Sequence, residues 1–393
     1  MLYLNECGIV CALGDTHETI KSRLIDQVQS GLALTEAWSA GRLLPLGQAD
    51  TDLPSMLAWP VQQRSRNNQM ALAALEQIRL PVNEAIARYG IDRVGVVVGT
   101  STSGIAGTEV ALRQYVADGT LPEDFHYAQQ EMGSPASMLA TELGIIGPAL
   151  THSSACSSSA KALASAARLI NMGLCDAVLT GGVDTLCAFT VAGFSALESV
   201  STTQCNPLSA NRNGINIGEG AALFLMTREP SSVALCGWGE SSDGHHMSAP
   251  DPAGGGARLS ITQALQRAGI QASQIDYINL HGTATIQNDA MESRVVHDLF
   301  GPDIYVSSTK PFTGHTLGAA AAIEAALCWL AMQDDNAAGH MPPHLWDGVS
   351  DPALPALKLV APGTCLGRPL QWTLSNSFAF GGSNATLVFG RGR

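Results

Sequence analysis

The chain has 393 residues, of which 46% are hydrophobic, only 14% charged and 40 are glycine. That length holds a large core or two fused units, and so apolar a composition excludes a disordered chain. Setting 34 acidic against 21 basic residues leaves a formal charge of -13, which weighs against a broad nucleic-acid footprint but leaves room for a local basic docking patch.

In chain order, MLYLNECGIVCALG reads as a strand with no basic leader, and residues 16 to 85 carry helical runs such as RSRNNQMALAALEQI at 64 to 78. IDRVGVVVGTSTSG is an apolar strand entering a glycine- and hydroxyl-rich turn. ALTHSSAC is a short strand before a small-residue helix from Ser157 to Leu169, and DAVLTGGVD adds another strand and glycine turn.

The second half repeats this grammar: VALCGWG, IDYINLHGT and IYVSSTK read as strands, ARLSITQALQRAG and DAMESRVVHDLF as helices, and LGAAAAIEAALCWLAM as a buried helix. The last helix is too short for a bilayer and contains Glu324, so no membrane span is expected. LQWTLSNSFAFGGSNATLVFG closes with two strands around a tight glycine loop, while 243 to 256 and 339 to 369 read as surface or site-forming loops. The alternation points to a layered α/β enzyme of two related halves, 1–232 and 233–393.

Nine cysteines show neither CxxC pairing nor the density of a small disulfide scaffold, so reduced thiols and a soluble cytoplasmic protein are expected. Cys156 stands apart, in THSSACSSSAKALASAARL, where a helix start favours a thiolate; alone, the same residue reads as a small buried hydrophobe. His281, at a strand exit in INLHGTAT, and His315, before a small-residue helix, each also fit a hydrogen-bonded loop histidine. Together with Cys156 they suggest a Cys-His-His site in which two imidazoles bind a carbonyl or stabilise an enolate.

The ordered set ACSSS, HGTAT, KPFTGHTLGAA and NSFAFGG, supported by LTGGVDT, NRNGINIGEGAA and HHMSAPDP, resembles the β-ketoacyl-acyl-carrier-protein synthases, decarboxylating condensing enzymes of the thiolase superfamily. The resemblance spans nearly the whole chain and implies a duplicated thiolase-like α/β fold, with central mixed sheets in an α-β-α-β-α layering. It makes Cys156 the acyl-accepting nucleophile, and His281 and His315 the pair that assists malonyl decarboxylation, as in the elongating type. Lys310 matches the lysine before the second histidine, and Glu292 and Glu324 match supporting acidic positions that otherwise read as helix-surface carboxylates. Phe380 matches a gating phenylalanine, flanked by Phe378 and Gly381 in a gate whose backbone N–H also helps hold an oxyanion. Thr283 and Thr285 match contacts to the phosphopantetheine arm, with turn capping as the plain alternative.

The resemblance further implies acyl carrier protein as partner and a homodimer, or a heterodimer with a chain-length-factor subunit, with no metal and no bound cofactor. Its pathway would be fatty-acid-like, polyketide or aryl-polyene synthesis. Leu208-Ser209 replaces the usual Phe-Asp, Arg212-Asn213-Gly214-Ile215 the usual Arg-Asp-Gly-Phe, and Ala379 the glycine between the two phenylalanines, which bears on substrate range and gate stiffness. The rival readings are a non-decarboxylating thiolase or other acyltransferase, and a chain-length-setting partner that does no chemistry. GTSTSGIAG has neither GxGxxG nor a Walker lysine, so nucleotide binding is not expected, and His245-His246 alone is weak grounds for zinc.

Overall fold

The computed structural model describes residues 1–392. Its strands are β1 (Leu2–Cys11), β2 (Ala33–Thr35), β3 (Leu44–Leu46), β4 (Val94–Gly99), β5 (Ala149–His152), β6 (Ala177–Asp184), β7 (Gly220–Thr227), β8 (Val233–Ser242), β9 (Tyr277–Asn279), β10 (Tyr305–Ser307), β11 (Lys358–Leu359), β12 (Trp372–Phe378) and β13 (Ser383–Arg391). The helices are α1 (His17–Lys21), α2 (Arg66–Gln77), α3 (Arg79–Tyr89), α4 (Ile105–Asp118), α5 (Ser134–Leu143), α6 (Ser158–Asn171), α7 (Ala188–Ala196), α8 (Gly255–Ala268), α9 (Ile286–Phe300), α10 (Lys310–Thr313) and α11 (Ala320–Ala331).

The same strand series occurs twice. In the first, β7 pairs antiparallel with β1 on one side and with β6 on the other, and β6, β4 and β5 follow in parallel. In the second, β8, β13 and β12 are antiparallel, β12, β9 and β10 parallel, and β11 extends the edge. The two series meet where β1 and β8 pair over Leu2↔Leu235 and Tyr3↔Ala234, making one continuous 11-stranded sheet. The duplicated halves are therefore hydrogen-bonded to each other through a short join between their first strands.

Layering follows from which faces are apolar. The run VGVVVG of β4 is buried throughout, as a parallel strand covered on both faces must be. Helix α11, AAAIEAALCWLA, is buried along its whole length and, apart from Glu324, is apolar all round, which confines it to the interior. It packs on α6 and touches strands of both halves, so α6 and α11 form the middle layer. Helices α2, α3 and α5 cover the outer face of the first half, and α8 and α9 that of the second.

Small residues let the middle layer approach the sheet. A Cβ on Gly99, the last residue of β4, would lie 2.3 Å from Ser159 N, and one on Gly182 in β6 would lie 2.6 Å from Ser159 Cβ. These two glycines form the seat for the first turn of α6, directly behind Cys156. Gly99→Ala is expected to destabilise the fold by about 1–3 kcal/mol through overpacking against backbone that cannot yield. Gly193→Ala, in α7 with nothing within 4 Å of its added Cβ, should be neutral or slightly stabilising, and chemical denaturation midpoints of the two variants test the contrast.

Candidate active site

Each half contributes a turn that follows a parallel strand. After β5 the chain turns through Ala155, whose φ of 51° is left-handed for a residue with a Cβ, and delivers Cys156 just ahead of α6. Ser158 Oγ closes the turn, accepting from the Ser154 N–H at 2.8 Å and donating to the Ala155 carbonyl at 2.6 Å.

After β9, the His281 and Gly282 N–H groups donate to the two oxygens of Glu292 on α9, at 2.8 and 2.7 Å, and Asn376 Nδ2 of β12 donates to the same carboxylate at 3.2 Å. Three residues on, Ala284 has a φ of 63° and its N–H donates to Asp289 Oδ1 at 3.2 Å. Beyond β10, His315 is clamped through its backbone, its N–H donating to Asn216 O at 2.6 Å and its carbonyl accepting from Gly218 N–H at 2.9 Å. Leu317 follows with a φ of 51°, and Gly318 N–H donates to Asp184 Oδ2 at 2.6 Å.

These turns converge. His315 Nε2 lies 3.0 Å from Cys156 Sγ, the two imidazole centroids are 5.4 Å apart edge to face, and one donor atom from each of Cys156, His281 and His315 lies within 4.8 Å of the others. Behind them Lys310 is buried, with its Nζ 2.5 Å from Glu324 Oε1, 2.5 Å from the His281 carbonyl and 3.5 Å from His281 Nδ1. A cavity of about 60 Å³ opens onto the group, lined by Thr283, Thr285, Phe378, Phe380 and Ile215 among others. Phe378 sits 6.2 Å from the His281 ring and Phe380 5.5 Å from the Phe194 ring.

With this geometry in view, the comparisons with known proteins are decisive. Residues 61–231 match the family described as Beta-ketoacyl synthase, N-terminal domain, and residues 233–344 its C-terminal counterpart. A 3-oxoacyl-[acyl-carrier-protein] synthase 2 from Staphylococcus aureus (strain COL) is 31% identical over 337 residues, 81% of this chain and 79% of its own. The chain belongs to the beta-ketoacyl synthase family. Nodulation protein E from Rhizobium meliloti (strain 1021) is 34% identical over 329 residues, covering 80% of this chain and 79% of its own. Among solved structures, a chain from the complex of the ketosynthase ApeO with its chain length factor ApeC, from Xenorhabdus doucetiae, has a TM-score of 0.93 and 45% identity, over 99% of this chain and 98% of that one. The protein is thus a condensing acyltransferase with a Cys-His-His site, working on thioester-bound groups in place of a bound cofactor.

The hydrogen bonds of the synthase site fix both imidazole tautomers. His315 Nδ1 accepts from Leu317 N–H at 3.3 Å and His281 Nδ1 faces the Lys310 ammonium, so in each neutral ring the proton is on Nε2. Burial and the Lys310 charge push both histidines well below the ordinary imidazole value, which keeps them neutral near pH 7. The pair is therefore built to donate hydrogen bonds to a reacting oxygen. The three donor atoms have metal-like spacing, but a metal would need a lone pair on each facing nitrogen, and the Leu317 and Lys310 donors oppose the tautomers that supply one.

The thiol departs from the sequence expectation. Burial pushes Cys156 up to about 11, against the lowering pull of Lys310 and of the Phe380 and Cys156 backbone N–H groups. A helix start alone suggested a ready thiolate; complete burial outweighs it. Phe380 contributes its backbone N–H at the sulfur, whereas the Gly381 N–H is used by the Met247 carbonyl at 2.8 Å. Ala379 has a φ of −86°, which any residue adopts, so the missing glycine causes no strain in this conformation.

Thus Cys156, His281, His315, Lys310, Phe378, Phe380, Thr283 and Thr285 gather at one place, and the two glutamates stand behind it: Glu324 holds Lys310, and Glu292, pushed by burial to about 7, holds the HGT turn. Sequence reasoning passed over Asp184, which accepts from Thr100, Ser101, Thr102 and Gly318, and Asp289, which accepts from Leu208 and Ala284. Asp184 lay inside LTGGVDT; for Asp289 the only signal was an acid in the first turn of the helix after HGTAT. Because the thiol stands above its ordinary value of 9.0, alkylation of Cys156 by iodoacetamide should climb roughly tenfold per pH unit between about pH 7 and 9. A rate that is flat across that range would contradict a neutral resting thiol.

Proposed function

We propose that the enzyme extends an acyl chain by two carbons in a two-stage Claisen-type condensation, with Cys156 as the nucleophile and His281 and His315 as hydrogen-bond donors to the reacting oxygens. The observation that carries this reading is the thiol 3.0 Å from His315 Nε2, with a second neutral imidazole beside it. In the first stage the sulfur attacks an acyl thioester, its proton passes to the departing carrier thiol, and the acyl group stays on Cys156. In the second, the carbon–carbon bond to the malonyl carboxylate breaks, carbon dioxide leaves, and the electron pair forms an enolate held by the imidazole N–H groups. That carbon attacks the acyl–Cys156 carbonyl, the Cys156 thiolate leaves and recovers a proton, and a 3-oxoacyl thioester is released.

The Phe380 and Cys156 N–H groups are suited to the oxyanion of the first stage, and Thr283 and Thr285, with hydroxyls 2.9 Å apart at the cavity wall, to the phosphopantetheine arm. Lys310 and Glu324 act through His281, and Phe378 and Phe380 as a gate between acyl pocket and entry. Acyl carrier protein as substrate carrier draws support from the name of the Staphylococcus aureus relative. A chain-length-factor-like partner draws support from the ApeO–ApeC complex, and an aryl-polyene or polyketide pathway belongs to the same reading. For a second subunit, itself or such a partner, the supporting features are the edge strand β5 with Leu150 exposed, and α4 and α7 presenting Val116 and Phe189 to solvent. A purely chain-length-setting role for this chain is opposed by the intact thiol.

The division at 1–232 and 233–393 belongs to the same reading, the nucleophile in one half and both histidines in the other. So does a cytoplasmic location, for which the supporting fact is that no helix among the described residues is long and apolar enough to cross a membrane. The test is mass spectrometry after incubation with acyl-carrier protein. An acyl adduct is expected on Cys156 and absent from Cys156→Ala, and His281→Ala or His315→Ala should lower malonyl decarboxylation by about 10²–10³-fold. Loading retained on another cysteine, or decarboxylation unchanged in both histidine variants, would overturn the assignment.

A further inference from the structure

The turn that carries Phe380 runs from β12 to β13 through Gly381 and Gly382, both left-handed at φ 81° and 74°. Its position decides where the Phe380 N–H meets the sulfur. On one side it is held by the loop after β8: the Gly381 N–H donates to Met247 O and the Gly382 carbonyl accepts from Asp243 N–H, both at 2.8 Å. On the other side it meets the nucleophile helix at one residue, Ser383, whose hydroxyl lies 2.9 Å from Ser157 Oγ and 2.6 Å from Lys161 Nζ.

The direction of every proton in this group follows from valence. Ser157, next to Cys156, has one hydroxyl proton; with that proton on the Ser154 carbonyl at 2.8 Å, its oxygen accepts from both neighbouring hydroxyls, Ser383 at 2.9 Å and Ser154 at 3.1 Å. Ser383 in turn accepts from the Lys161 ammonium, which has no other side-chain acceptor in reach among the described residues. The chain is therefore Lys161 to Ser383 to Ser157 to Ser154 O, three side chains crossing from α6 to the Phe380 turn and back to the Cys156 turn. Ser157 is buried, Lys161 and Ser383 are half-buried at the rim, and Ser383 O also accepts from Ala379 N–H at 2.9 Å, closing the turn on itself.

We propose that Lys161 and Ser383 are positioning residues for acyl transfer: their hydrogen bonds latch the Phe380 turn to α6 and so set the Phe380 N–H against the Cys156 reaction centre. A lysine suits this place because an ammonium can only donate, which commits the Ser383 proton to Ser157 and removes the alternative rotamer that would release the turn. The latch serves the acyl-transfer stage and not malonyl decarboxylation, whose donors are His281 and His315. This inference rests on the condensing reading above.

Lys161→Met and Ser383→Ala are expected to slow acyl loading of Cys156 by at least about tenfold in kcat, short of the 10²–10³ of a deleted oxyanion donor. KM for the acyl donor and the rate of malonyl decarboxylation should stay at wild-type values, and Lys161→Arg, which keeps the charged donor, should recover most of the loading rate. Wild-type loading by both variants overturns the latch, as does an equal fall in loading and decarboxylation that Arg does not rescue. Failure of the wild-type enzyme to load at all would instead overturn the condensing reading. The latch is then decided by amide hydrogen exchange of residues 379–383, where faster exchange in both variants supports it and unchanged exchange overturns it.

Discussion

The interaction on which the site depends is the burial of one ammonium. Lys310 Nζ, 2% exposed at the residue level, directs its donors to Glu324, to the His281 carbonyl and to His281 Nδ1. An ion pair so deeply buried contributes little net stability, because desolvation offsets most of the attraction. Its chemical effect is larger: the Lys310 charge is among the causes that lower His281, His315 and Cys156 together. For the imidazoles this adds to burial and keeps them neutral donors; for the thiol it opposes burial. Glu324, raised by burial and drawn back by Lys310, keeps the ammonium in place, which gives a glutamate in the middle of an otherwise apolar helix its reason.

The duplicated fold explains how these groups come to face one another. Cys156 lies between β5 and α6, and His315 between β10 and α11, which are corresponding elements of the two halves, and α6 packs directly on α11. Each turn holds a non-glycine residue in left-handed backbone, Ala155, Ala284 or Leu317, at a cost on the order of 1–3 kcal/mol apiece. Buried acceptors hold two of them: Asp289 takes the Ala284 N–H, and Asp184 the N–H of Gly318 beside Leu317. The first is closed by the Ser158 hydroxyl. Rigid turns of this kind suit a site whose donors must be in place before charge develops.

Much of this was legible in the chain itself. The uninterrupted VGVVVG run, the small-residue helix after Cys156 and the all-apolar helix around Glu324 each follow from local pattern, and the resemblance of the ordered set ACSSS, HGTAT, KPFTGHTLGAA and NSFAFGG carried the family. What local pattern does not contain is burial and long-range pairing. The thiol's rise to about 11 reflects its complete enclosure, a tertiary quantity that the helix-start argument omits. The Lys161–Ser383 bond joins residues 222 apart, and Asp184 reaches Gly318 across 134. The two-pair join of β1 to β8, which makes the sheet continuous, likewise depends on where the halves dock.

The protonation of the two imidazoles tests the role of the buried ammonium most directly. Nitrogen-15 NMR of the histidine side chains should find His281 and His315 neutral between about pH 6 and 8, each with its proton on Nε2 and a lone pair on Nδ1. A charged imidazolium at either position in that range, or the opposite tautomer at either ring, would contradict the account of the site as a pair of neutral donors set by Lys310 and Leu317.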